Sequence, residues 1–152
     1  MMRGAILVFS LFAVVLLGGA YFFRISNHDS GNLSEFEVYT TAVQALEFYE
    51  SGGIIEVSGG IFECYESVAH HSDRKALHKE VQKCMVMDRV GYQIDNAVAS
   101  HLKVEPTHYF SESAYIRRLQ ENGAKIGLNN DQVNSLMEAV DLSLSNEEKI
   151  GK

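Results

Sequence analysis

The chain of 152 residues has no tryptophan, a single proline and only two cysteines. Each shortage excludes something. With Pro106 the one proline, nothing else along the chain forces a helix to stop for want of a backbone N–H. Alternation of apolar and polar residues never extends over a useful length, 54–58 being the only candidate stretch, so a sheet is excluded as the main architecture. Neither CxxC nor CxxCH occurs, which removes dithiol redox chemistry and haem attachment. No nucleotide-binding glycine loop and no GxSxG elbow is present, and no cofactor is implied. What remains is rich in Ala, Leu, Glu, Lys and Met, with 46% hydrophobic and 22% charged residues, the composition of a packed, all-α globular domain.

The strongest feature lies at the N-terminus. Beyond Arg3 and Gly4 an uncharged apolar run fills residues 5–23 and is closed by Arg24. As a helix it reaches about 28 Å, enough to cross the core of a bilayer. Two forms of this signal are open. As a signal peptide, Arg3 is the positive flank, 5–17 the apolar core, and Gly18 and Ala20 the small residues before a cut. As an uncleaved signal anchor, the run continues through Tyr21, Phe22 and Phe23, aromatic residues suited to the membrane interface. The lack of a polar turn after the core favours the anchor. The expectation is a single-pass membrane protein attached through residues 5–23, with its C-terminal domain outside the cytoplasm (periplasmic in a bacterium). Cleavage after Ala20 would make it secreted or periplasmic. The chain then divides into a signal anchor or signal peptide (1–24), a polar tether (25–33), a helical exported domain (34–143) and a flexible tail (144–152).

Setting Arg3 and Arg24 aside leaves 11 of the 13 basic residues against 20 acidic ones, a formal charge of −9 for the exported part. Nucleic acids and anionic lipid surfaces are recognised by clustered basic residues, so neither is an expected partner. The dipeptide Arg117-Arg118 reads as a solvated helix face.

Cys64 and Cys84 both fall in the exported part, where an even pair reads as a disulfide. Each sits in an apolar helical stretch, and Ser72-Asp73-Arg74 lies midway as a polar turn. An antiparallel hairpin folded there brings together positions whose numbers sum to about 148. Cys64 then meets Cys84, and Val57 meets Gly91.

The helices carry clear punctuation. Ser34 and Glu37 have capping-box spacing, Leu33 and Val38 the positions of a hydrophobic staple, and Phe36, Tyr39, Val43 and Leu46 form a stripe. Ser51-Gly52-Gly53 and Ser58-Gly59-Gly60 leave residues 51–60 open between a loop and a continuous or kinked helix. A long helix is predicted over 74–103, with Leu77, Val81, Cys84, Met85, Val90, Ile94, Val98 and Leu102 on its apolar face and Pro106 beyond its end. A third helix spans 112–121, with Tyr115, Ile116 and Leu119 inward and Asn122-Gly123 as its stop. A fourth begins at Asn129, with Gln132 as capping partner and Leu136, Met137 and Val140 inward. The polar residues from Ser143 read as a fraying end. The architecture expected is a disulfide-linked antiparallel hairpin with two shorter C-terminal helices against it.

Three constellations bear on function. His70, His78 and Asp73 crowd the expected hairpin tip, a set able to hold zinc or copper although it fits no HExxH pattern. Asp88 and Asp95 lie seven apart on the side of the long helix that carries Cys84. The simplest placement leaves them at the rim, whereas a shared pocket would suit acid and base roles. His101, His108, Tyr109, Ser111 and Ser113 flank the proline without the geometry of a nucleophilic triad. The leading expectation is a non-enzymatic envelope module that binds another protein. A metal-binding protein using the hairpin-tip histidines and an enzyme acting on an envelope substrate are the alternatives.

Overall fold

The computed structural model describes residues 33–68 and 73–150. The apolar segment 5–23, the cleavage question at Ala20 and the metal candidate His70 lie outside the described residues. Among the described residues the fold is all-helical, and no helix is long and apolar enough to cross a membrane.

Helix α1 spans Glu35–Gly52 and starts as its sequence dictates. The Ser34 hydroxyl accepts from the Glu37 amide and the Glu37 carboxylate accepts from the Ser34 amide, while Leu33 and Val38 are both buried. Its buried face differs from the expected stripe. Val38, Ala42 and Ala45 enter the core, whereas Phe36 is turned out to solvent. Two alanines permit a closer approach than the bulkier Phe36–Val43 row, so packing selects the small-residue face.

The glycine passage resolves into a turn and a helix. Gly53 alone separates α1 from α2, Ile54–Val68, and its φ of 72° is a conformation that glycine adopts without the Cβ penalty. The chain folds back there: Phe48 of α1 lies over Gly60 of α2, where a Cβ would stand 2.5 Å from the ring.

The longest helix, α3, runs Arg74–Leu102. Asp73 caps its start by accepting from the Lys75 amide at 2.9 Å, and Lys103 in the left-handed region closes it. Helices α1, α2 and α3 pack pairwise around Val57, Ile61, Val81 and Met85. The Cys64–Cys84 disulfide joins α2 to α3 with the Cα atoms 5.6 Å apart. The predicted register holds beyond it, because a Cβ on Gly91 would meet Val57 at 2.9 Å.

A 3₁₀ turn, His108–Phe110, leads into α4, Glu112–Lys125, and α5, Asn130–Ile150. The expected stop of α4 at Asn122-Gly123 is overtaken. Both residues are buried, Asn122 donates back to the Arg118 carbonyl, and Gly123 gives space to Val133 of α5. The actual terminator is Gly127, with φ 81°, in a Schellman arrangement in which the Leu128 amide reaches the Gly123 carbonyl at 2.9 Å. Asn129 and Gln132 form the capping pair of α5, whose backbone is helical to Ile150 rather than ending near Ser143. Leu102 and Ile116, expected inward, face solvent.

Two measurements test this packing. Gly91→Ala should cost about 1–2 kcal/mol by overpacking against Val57 and Phe110, although alanine is the better helix former, and should lower the urea midpoint. Reducing Cys64–Cys84 should remove about 3 kcal/mol, the loop-closure value for a crosslink of this span.

Candidate functional site

The carboxylates expected at the rim are inside. Asp88 is 0% exposed and Asp95 4%, and each is held by the chain itself. Arg118 of α4 grips Asp88 from Nη2 to Oδ1 at 2.7 Å and from Nε to Oδ2 at 3.0 Å. The hydroxyl of Tyr65 on α2 donates to the same carboxylate at 3.5 Å. A third guanidinium nitrogen of Arg118 donates to the Tyr109 carbonyl, and the guanidinium lies 3.8 Å from the centre of the Tyr109 ring. Asp95 accepts from the Thr107 amide at 2.7 Å and from its hydroxyl at 3.1 Å, fixing the strand of chain that enters the 3₁₀ turn. Neither carboxylate lines the cleft between α4 and α5.

Of the basic dipeptide, only Arg117 is the solvated residue expected; Arg118 is three-quarters or more buried. A guanidinium is tolerated there because each of its three nitrogens meets a partner, two on carboxylate oxygens and one on a carbonyl, and its plane lies against an aromatic ring. Burial pushes the Asp88 carboxyl up from its ordinary value, opposed by the hydrogen bonds and charge of Arg118. Burial also pushes the phenols of Tyr65 and Tyr109 up, Tyr109 to about 12, with the Asp88 charge adding to the effect.

A second cluster ties α3 to the last two helices. Arg89 donates through Nε to Asp141 Oδ1 at 2.7 Å and through Nη2 to Oδ2, and Gln93 reaches the same carboxylate at 2.8 Å. The Tyr92 and Tyr115 rings stack at 4.3 Å beside the guanidinium. Between α4 and α5 this cluster floors an open cleft of about 290 Å³, walled by Ile116, Leu119, Val133 and Met137.

Of the hairpin-tip residues, the described Asp73 and His78 take structural parts. Asp73 is the cap of α3, and His78 Nδ1 lies 2.8 Å from the Gln82 amide nitrogen while the Gln82 oxygen accepts from the Leu33 amide. Among the described residues no group of three or more His, Cys, Asp or Glu is placed to hold a metal ion. Ser111 donates to the His108 carbonyl within the 3₁₀ turn, while His101 lies in the last turn of α3 and Ser113 in the first turn of α4.

What sequence reasoning missed is the outer side of the α1–α2 hairpin. Ile55 is 75% exposed and Phe62 60%, both on α2, whose opposite face carries the buried Val57, Ile61 and Val68. No Lys or Arg occurs anywhere in residues 25–68, against seven glutamates within α1 and α2. That charge gap was present in the sequence and is invisible when charge is summed over the whole exported part.

Comparison with family models, curated proteins and solved structures finds no match to this chain.

Breaking the buried pair from one side should be severe. Arg118→Ala leaves Asp88 unpaired and is expected to cost about 3–5 kcal/mol in urea unfolding, whereas the double variant Asp88→Leu with Arg118→Met should recover most of that loss. The raised phenols give a second expectation. The fold holds their protons more tightly than the unfolded chain, whose phenols titrate near 10. Stability is therefore intact below pH 10 and falls as pH rises from 10 to about 12. Tyr109→Phe should flatten that fall in a pH series of unfolding midpoints.

Proposed function

We propose that this chain is a non-enzymatic binding module held outside the cytoplasm, tethered through its apolar 5–23 segment, which contacts another protein with the outer face of the α1–α2 hairpin. The observation that carries the reading is the exposure of Ile55 and Phe62 on a helix whose inner face is fully packed. Burying one large apolar side chain is worth about 1.5–3 kcal/mol, so two on one surface strip favour a cover over water. The Cys64–Cys84 disulfide suits an oxidising compartment. The acid or base candidates Asp88 and Asp95 are engaged in buried internal contacts, which weighs against the enzymatic alternative. Asp73 and His78 likewise serve the fold, and the metal alternative rests on His70 outside the described residues.

Site-specific photo-crosslinking tests this in the full chain, expressed in its own membranes. A benzophenone side chain at Phe62 should give one discrete protein adduct, and the same group at Gln120 on α4 should not. Intact mass of the purified chain reports at the same time whether residues 1–20 are retained. Absence of any protein adduct at residue 62, or equal labelling from both positions, would sink the reading.

A further inference from the structure

Resting on that reading, the chemistry of the partner follows from three features of the same face. The first is spacing. Ile55, Gly59, Phe62 and Glu66 recur at intervals of four and three residues, so they share one side of α2, opposite Val57, Ile61 and Val68. The second is charge. Glu47, Glu50, Glu56, Glu63 and Glu66 are all exposed on the hairpin, with no basic residue in either helix to answer them. Among the hairpin glutamates whose side chains are described, Glu37 alone has a cationic partner among the described residues, Lys79 of α3 at 3.3 Å.

The third feature is Gly59. Glycine is the weakest helix former after proline, and a glycine in mid-helix is ordinarily explained by the space it yields or the φ it adopts. Gly60 is explained, because the Phe48 ring fills the place of its Cβ. Gly59 is not: a Cβ there would meet nothing within 4 Å, and its φ is not positive. Among the described residues, nothing uses this glycine. Flanked by Ile55 and Phe62, it makes a notch open only to the outside.

We infer that the α2 face receives a basic amphipathic helix of another protein, which seats an apolar side chain over Gly59 between Ile55 and Phe62 and sets lysine or arginine against Glu56, Glu63 and Glu66. A glycine notch admits close helix–helix approach, and helix-on-groove recognition uses apolar anchors at this spacing. Anionic lipid and nucleic acid are repelled by the same glutamates. A second copy placed isologously would set acid against acid.

The test measures binding of the full chain in nanodiscs to a synthetic 18-residue Leu/Lys amphipathic helix. The controls are a Leu/Glu helix of the same pattern, oligolysine, and phosphatidylcholine vesicles. The Leu/Lys helix should bind, oligolysine more weakly, and the Leu/Glu helix not at all. Phe62→Ser and the triple variant Glu56→Gln, Glu63→Gln, Glu66→Gln should each weaken binding about tenfold, the order of one lost anchor or ion cluster. Glu121→Gln with Glu138→Gln, on the far helices, should leave it unchanged. Gly59→Ala should raise the Tm, by a few degrees at most on the helix-propensity scale, and yet weaken binding. That opposed pair of effects is not expected of a purely structural position.

Binding indifferent to the α2 variants, equal binding of the Leu/Glu helix, or Gly59→Ala raising the Tm with affinity intact would each overturn the proposal. Vesicle binding lost with Phe62→Ser would replace it with a lipid surface, and concentration-dependent self-association lost with that variant would replace it with a second copy. The crosslinking experiment separates the two levels. A residue-62 adduct to an acidic or neutral segment removes the cationic chemistry and leaves the binding module standing, whereas no adduct removes the module itself.

Discussion

The contact between Asp88 and Arg118 is the constraint on which the arrangement of the two halves of this fold depends. One half is the α1–α2–α3 unit, stapled by a disulfide and filled with aliphatic side chains. The other is the 3₁₀ turn with α4 and α5. A carboxylate without solvent exposure carries a desolvation cost of several kcal/mol unless a cation reaches it in good geometry. Among the described residues the guanidinium that reaches it is that of Arg118. Sliding α4 by a turn would leave both charges buried and unanswered. The pair therefore excludes alternative registers more than it adds net stability. Tyr65 and Tyr109 extend it into α2 and into the 3₁₀ turn, so one charge pair is touched by four elements of structure.

Much of the architecture was legible in the sequence because it is local. Ser34 with Glu37, Asp73, and Asn129 with Gln132 are caps whose side chains and backbone targets lie within three residues of one another. The hairpin register came from two cysteines and one polar turn, and it carried far enough to set Gly91 against Val57. Periodicity fails where two faces of a helix are both plausible. In α1 the larger side chains at Phe36 and Val43 pointed to one face, and Ala42 with Ala45 won because closeness of backbones, a tertiary quantity, decided it.

The candidate site was harder to see for related reasons. Arg118 looked like half of a solvated pair, since nothing nearby in sequence announces a carboxylate thirty residues away. Asp88 and Asp95 share the side of α3 that carries Cys84, yet the rim is their expected place, because their burial depends on partners from 107–118 that sequence spacing does not bring into view. The same holds for the α4 stop. Asn122-Gly123 has the composition of a terminator, and Gly123 instead accommodates Val133, leaving the left-handed residue to Gly127. The glycines of 51–60 divide in the same way: Gly53 turns the chain, Gly60 receives Phe48, and Gly59 answers to neither.

The bond from the Leu33 amide to Gln82 has a mechanical side. Gln82 lies two residues from Cys84, so the entry point of the domain is fastened beside the covalent crosslink. A pull arriving along the chain at residue 33 is handed directly to the longest helix. Residue 33 is also joined covalently through Ser34 to α1, so the pull is shared between α1 and α3. Both routes converge on α2, which Gly53 joins to α1 and the Cys64–Cys84 disulfide joins to α3.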